Sequence, residues 1–170
     1  MRGRPGPDEA VPYYSYVIDP VPGDDVISVL ENQLEEVPAF LRSISEEKSL
    51  YRYAPEKWSI RQIISHLNDT ERIFVGRALW FARGFDSPLP GFEQDDCARA
   101  ARADEVSWLN HIEDFRAVRS ATLSFFRNLP EEAWLRHGVA SDRSFTVRAL
   151  AYITAGHLIH HLGIIKERYL

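Results

Sequence analysis

Residues 58–84 read WSIRQIISHLNDTERIFVGRALWFARG. Ser59 and Gln62 stand in the relation of a capping box, in which each side chain satisfies a backbone N–H at a helix start. Trp58 and Ile63 fill the two positions of a hydrophobic staple around that box. From there Ile60, Ile63, Ile64, Leu67, Phe74, Ala78 and Phe81 recur every three or four residues, the apolar stripe of an amphipathic helix. Gly84 supplies the stop. The spacing predicts one long helix from Ser59 to about Arg83.

Three further segments carry the same period. The first runs from about Asp24 to Ile44, capped by Asp24 or Asp25 after the Pro22-Gly23 break, with Val26, Leu30, Leu34, Val37, Leu41 and Ile44 on one face. Pro38 interrupts its hydrogen bonding. The third runs from about Asp104 to Leu129, with Trp108, Ile112, Phe115, Thr122, Phe126 and Leu129 on one face and Pro130 as its stop. The fourth runs from Thr146 to the C-terminus, where Phe145-Thr146-Val147-Arg148 repeats the chemistry of Trp58-Ser59-Ile60-Arg61. No stretch alternates with period two long enough for a strand.

Four long helices and no strands predict an all-α four-helix bundle. The connection 84–103 spans roughly 60 Å if extended, whereas a 25-residue helix is about 38 Å long. It can therefore run the length of the bundle and let the second and third helices point the same way, with a short helix at 94–102. Five of the ten prolines fall in the first 22 residues. They divide the chain into residues 1–12, expected to be flexible, and a single domain over 13–170, with 13–22 laid along its surface.

The 170 residues are 45% apolar and 26% charged, an ordinary globular balance that excludes collagen-like and wholly disordered classes. The net charge is −5 and the pI about 5.7, without the basic stripe expected of a nucleic-acid binder. No apolar run approaches the ~18 residues of a membrane span, and the N-terminus lacks the apolar stretch of a secretory signal. The single cysteine, Cys97, allows no internal disulfide and fits a reducing compartment. The expectation is a cytoplasmic protein with no nucleic-acid or membrane partner, and Cys97 a free structural thiol.

Among the six histidines, His157 and His161 are four apart on the line Leu150, Ile153, His157, His161, Ile164, the core-facing stripe of the fourth helix. Imidazoles at i and i+4 stack on one face and can grip one metal ion. Two core histidines bonded to neighbouring groups would leave the same pattern. His66 tips the balance, because it lies in the apolar arc of the second helix. With the second and fourth helices antiparallel, His66 sits about 11 Å and the His157/His161 pair about 16 Å from the same end of the bundle. Three neutral imidazoles meeting at one level form an open metal site. His160 reads as a group supporting that site, a fourth ligand or a surface residue. His111 falls off the stripe of its helix and His137 falls in a loop; both read as solvated.

Arg119 interrupts the apolar stripe of the third helix. An unpaired guanidinium there would be costly, so a buried carboxylate is expected beside it, with Glu71 the candidate. The pair reads as a register-fixing ion pair or as an anion anchor near the metal. Gly156 and Gly163, seven apart, read as sites of close helix contact.

Two stretches carry a family likeness. Tyr53-Ala54-Pro55-Glu56-Lys57-Trp58-Ser59-Ile60-Arg61-Gln62 followed by His66-Leu67, and Gly156-His157-Leu158-Ile159-His160-His161, resemble the DinB/YfiT-like superfamily, particularly its DinB_2 branch. The likeness covers roughly residues 13–170. It implies a four-helix bundle in up-down-down-up order, often dimeric, and a divalent metal (nickel, zinc, iron or manganese) on three histidines, here His66, His157 and His161. It also implies a small-molecule substrate and, in some relatives, a low-molecular-weight thiol such as bacillithiol, mycothiol or glutathione. Two functions follow as expectations: a metal-dependent enzyme of the thiol S-transferase or hydrolase type, or a metal- or ligand-binding dimeric stress-response module without turnover. No catalytic base stands out; Asp69 and Glu71 are the acids nearest His66 in sequence.

Overall fold

The computed structural model describes residues 3–170. Four long helices dominate: α2 (Val26–Arg42), α3 (Ile60–Ala82), α5 (Trp108–Arg127) and α6 (Val147–Arg168). Two short ones, α1 (Ser15–Ile18) and α4 (Gln94–Ala100), and a hairpin of β1 (His137–Ala140) and β2 (Arg143–Thr146) complete the chain.

Each long helix starts on a side-chain cap. Asp25 accepts from the N–H of Ile27, Ser107 from that of Asn110, and Thr146 from that of Ala149. Ser59 and Gln62 form the expected capping box, with both bonds at 3.0 Å. The third helix begins four residues later than its sequence suggests. Ala103–Glu105 is a separate 3-10 turn, and the Asp104 carboxylate accepts a hydrogen bond from the Ser59 hydroxyl instead.

The order of directions follows from which residues meet. Tyr169, at the end of α6, donates its hydroxyl to the carbonyl of Trp58, just before α3; α3 and α6 are antiparallel. Asn68 and Glu71 of α3 meet Asp114 and Arg119 of α5, so those two run together. Glu31 and Arg42 of α2 meet Arg127 and Glu113 of α5, which is antiparallel. Gln33 and Phe40 of α2 meet Ala155 and Lys166 of α6, which is parallel. The bundle is up-down-down-up.

The apolar core falls into two clusters. One surrounds Phe81, Phe126, Trp134, Phe145 and Leu30 near the hairpin. The other surrounds Ile60, Leu67, Trp108, Phe115 and Ile165 at the opposite end. A polar layer divides them: Gln33 lies between Leu30 and Val37, Thr70 and Glu71 between Leu67 and Phe74, Arg119 between Phe115 and Leu123, and His157 between Ala155 and Leu158. Arg119 is 0% exposed. Its Nε and Nη2 each donate to Glu71 at 2.8 Å, and its Nη1 donates to Gln33. All three nitrogens are satisfied within the layer, so Arg119 is a structural tie and not an anchor for a bound anion.

Several sequence expectations need correction. Residues 137–146 form a strand pair whose turn residues, Ser141 and Asp142, both have positive φ, at 52° and 59°. Such two-residue turns match the strand twist. His137 opens β1 and is exposed, as expected of a solvated residue. His111 is buried and its Nε2 lies 2.9 Å from the Ala103 carbonyl, contrary to the solvated reading. Gly163 has open space around it and makes no close contact.

The stretch 13–22 contains the single turn α1, packed on α6 through Val17, which is fully buried. Gly156 makes that docking possible: a Cβ there would lie 1.7 Å from the Val17 carbonyl oxygen. Residues 1 and 2 of the segment 1–12 lie outside the described residues. The remainder touches the bundle through Arg4, which donates to the carbonyls of Ile18 and Val21 at 2.7 Å, and through Glu9, which pairs with Arg148. No helix among the described residues is long and apolar enough to cross a membrane.

Candidate metal centre

His66 projects from the second turn of α3 towards α6 and is 5% exposed. His157 and His161 project from the middle of α6, one turn apart and partly buried. The His66 and His157 Nε2 atoms are 3.3 Å apart, and those of His157 and His161 are 3.1 Å apart. Two nitrogens bound tetrahedrally to one ion at 2.0–2.1 Å would be about 3.3 Å apart. The donor spacing therefore suits a single small cation. Among the described residues, the donor atoms of His66, His157 and His161 are the only group of three within 4.8 Å of one another.

Charge and tautomer agree with that use. Burial pushes the His66 pKa down to about 4, against a smaller opposing pull from Asp95. Burial, reinforced by His66 and His160, pushes His161 down to about 3. Burial, with the neighbouring imidazoles, holds His157 well below its ordinary value. All three rings are thus neutral at neutral pH, the form in which histidine binds metals. The Thr70 hydroxyl donates to the carbonyl of His66 at 2.7 Å, with that of Leu67 at 3.1 Å. Its one proton goes to the backbone, so at 3.3 Å its oxygen accepts from Nδ1 of His157. That leaves the Nε2 lone pair of His157 facing the other two rings. His161 Nδ1 is buried without a hydrogen-bond partner among the described residues.

Space opens on two sides. His66, Thr70, Phe74 and His157 wall a cavity of about 490 Å³, which the exposed Tyr13 and Tyr16 also line. His161, Trp58, Asp95 and Tyr169 wall a second cavity of about 320 Å³. Gln94, at the start of α4, belongs to both walls. The ring of Trp58 lies 4.9 Å from that of His66, covering it. His160 stands beside the group, with its ring 5.1 Å from His161 and 5.1 Å from Tyr16.

Two acids near His66 in sequence are engaged elsewhere. Asp69 pairs with Arg72 at 3.5 Å, and Glu71 belongs to Arg119. Cys97 lies on α4, off both cavity walls. Thr70 went unnoticed in the sequence although it falls on the line His66, Thr70, Phe74, Arg77 and was open to the same periodic reading. The tyrosines, Gln94 and Asp95 reach the site only through tertiary folding and left no local signal.

An up-down-down-up bundle with imidazoles from its antiparallel second and fourth long helices converging beside an accessible cavity defines a class of bundle proteins with a metal-ready histidine triad. The chain belongs to the DinB superfamily: the DinB_2 family profile matches residues 30–165. Its structure is similar to that of YfiT from Bacillus subtilis, which is described as a probable metal-dependent hydrolase with an unusual four-helix bundle topology. The TM-score is 0.63 over 83% of this chain and 84% of that one, at 16% sequence identity. At that identity the likeness speaks for the fold alone. No curated protein sequence matches the chain.

Proposed function

We propose that the chain is a metal-dependent enzyme for a small organic substrate, with His66, His157 and His161 as the ligands of one divalent ion. The observation that carries this reading is that the three histidines, with their Nε2 atoms converging, line cavities and do not sit in a sealed core. A structural site would be closed by four protein ligands, whereas three imidazoles leave coordination room. A divalent ion there supplies Lewis acidity, which lowers the pKa of a water or thiol it binds.

The chain's own residues do the rest. Thr70 orients His157, Trp58 covers His66, and Tyr13 and Tyr16 line the larger cavity. Thiol transfer is the reaction the family likeness favours, with hydrolysis as the other outcome. The carboxylates on the two walls, Glu56, Glu93 and Asp95, are all exposed, so in either reaction the ion would acidify the water or thiol it holds. Within this reading the protein acts in the cytoplasm, where small thiols stay reduced, and as a homodimer, as the family likeness suggests.

The test is turnover by protein loaded separately with nickel, zinc, iron and manganese. Glutathione, bacillithiol and mycothiol are each offered with a chlorodinitrobenzene, and a nitrophenyl ester is offered alone. In the transfer a C–S bond forms, the C–Cl bond breaks with loss of chloride, and the thiol proton passes to solvent. Thioether formation that disappears in His157→Ala supports the reading. Ester cleavage without thioether makes the protein a hydrolase, and neither product makes it a binding module.

A further inference from the structure

Among the described residues three arginines are buried: Arg61, Arg77 and Arg119. Arg61 pairs with Glu46, and Arg119 pairs with Glu71. Arg77, 5% exposed, makes no ion pair among the described residues. It donates through Nη2 alone, to the Pro90 carbonyl at 3.0 Å and to the Ser141 hydroxyl at 2.9 Å. Arg77 lines the 490 Å³ cavity, as does its partner Ser141, and its guanidinium lies 5.8 Å from the ring of Phe92. A buried guanidinium without a counter-charge is costly, and burial pushes its pKa down. The fold holds it there nonetheless. Ser141 presents its hydroxyl from a left-handed backbone conformation, which a serine rarely adopts.

A second cation faces the same space. Arg143, on the exposed start of β2, lies 5.0 Å above the ring of Tyr13 and makes no ion pair among the described residues. The one carboxylate on this wall is the exposed Glu93. Arg77 follows His66 by eleven residues on the same face of α3, about 16 Å along the helix axis. Its side chain leans back towards the imidazoles, as helical side chains do.

We propose that this cavity selects elongated substrates that carry an oxyanion, a carboxylate or phosphate, at the end far from the imidazoles, where Arg77 and Arg143 grip it. The inference rests on the reading of the triad as a catalytic metal site, and it gives that site its substrate class. A guanidinium with free donors suits the planar or tetrahedral oxygens of such a group. An anion as short as acetate cannot reach both ends of the cavity.

The test is calorimetric titration of the full chain, as purified and after chelation, with metal content measured in each sample. The probes are phenylbutyrate, phenyl phosphate and the neutral phenylbutanamide. Both anions, or one of them, should bind about tenfold or more tightly than the amide, with or without metal. Whichever anion wins assigns the group. Arg77→Gln should erase that preference without lowering the melting temperature, because it removes an unpaired buried cation. Arg143→Gln, at an exposed position, should weaken it several-fold with the melting temperature unchanged. Equal binding of amide and anion, or anion preference intact in both variants, overturns the proposal. Protein that holds no metal before chelation, even after loading, but keeps the anion preference would instead count against the triad reading alone.

Discussion

Nδ1 of His157 lies 3.3 Å from the Thr70 hydroxyl oxygen, whose own proton is committed to the backbone of its helix. One threonine thereby sets the tautomer of the central imidazole. This relation crosses from α3 to α6, so the triad is oriented by the packing of the helices that carry it. The polar layer through mid-bundle, from Gln33 and Arg119 to Thr70 and His157, separates two apolar clusters.

Thr70→Val keeps the shape of the side chain and removes the acceptor. Metal affinity should fall roughly tenfold or more, as for other groups that orient metal-bound histidines. A competition titration against a chelator measures it. Unchanged affinity would mean that His157 is oriented without Thr70.

Arg119→Ala strands the Glu71 carboxylate in the core. It should cost about 3–5 kcal/mol of stability, read by urea denaturation. The double change Arg119→Met with Glu71→Leu should recover much of that loss, because neither charge then remains buried. Failure of the double variant to recover would mean that the pair does more than neutralise itself.

Gly156→Ala sets a methyl group 1.7 Å from the Val17 carbonyl, so α1 must lift from α6. A loss of about 1–3 kcal/mol is expected for such overpacking, with faster proteolysis before residue 20 and a more accessible His157. An unchanged digestion pattern would show that α1 docks elsewhere.

Glu9 ties the N-terminal segment to α6. Burial raises its pKa, but hydrogen bonds from Arg148, Gly6 and Thr146 outweigh that and hold it below the ordinary carboxylate value. A carboxyl depressed on folding contributes stability above its unfolded pKa, near 4.5, and loses it as pH falls through the lower folded value. The protection factors for hydrogen exchange at residues 4–18, referred to intrinsic rates at each pH, should therefore be high at pH 6 and fall as the pH drops below 4.5. Glu9→Gln should show the low protection already at pH 6. Constant protection down to pH 3 would count against the tie.

Much of this was legible locally. The Ser59/Gln62 capping box, the Thr146 cap and the apolar stripes are short-range patterns, and short-range patterns survive folding. His66, His157 and His161 stood out because polar rings interrupt apolar faces, and Arg119 pointed to Glu71 for the same reason. The hairpin was missed because its strands have four residues each and its turn is Ser141-Asp142, without the Asn-Gly signature of such turns. His111 was misread because the 3-10 turn at Ala103–Glu105 folds back to place a carbonyl over it. Arg77 and the tyrosines over the cavity owe their roles to contacts far apart in sequence, which no periodicity encodes.

The most direct measurement is metal content per chain, by plasma mass spectrometry after loading and exhaustive dialysis, in the native protein and in His66→Ala, His157→Ala and His161→Ala, with the buried His111→Ala as control. About one divalent ion per chain is expected in the native protein and the control, and under about a tenth of that in each triad variant. A native protein that retains no ion, or triad variants that retain as much as the control, would contradict the assignment of these three imidazoles as ligands.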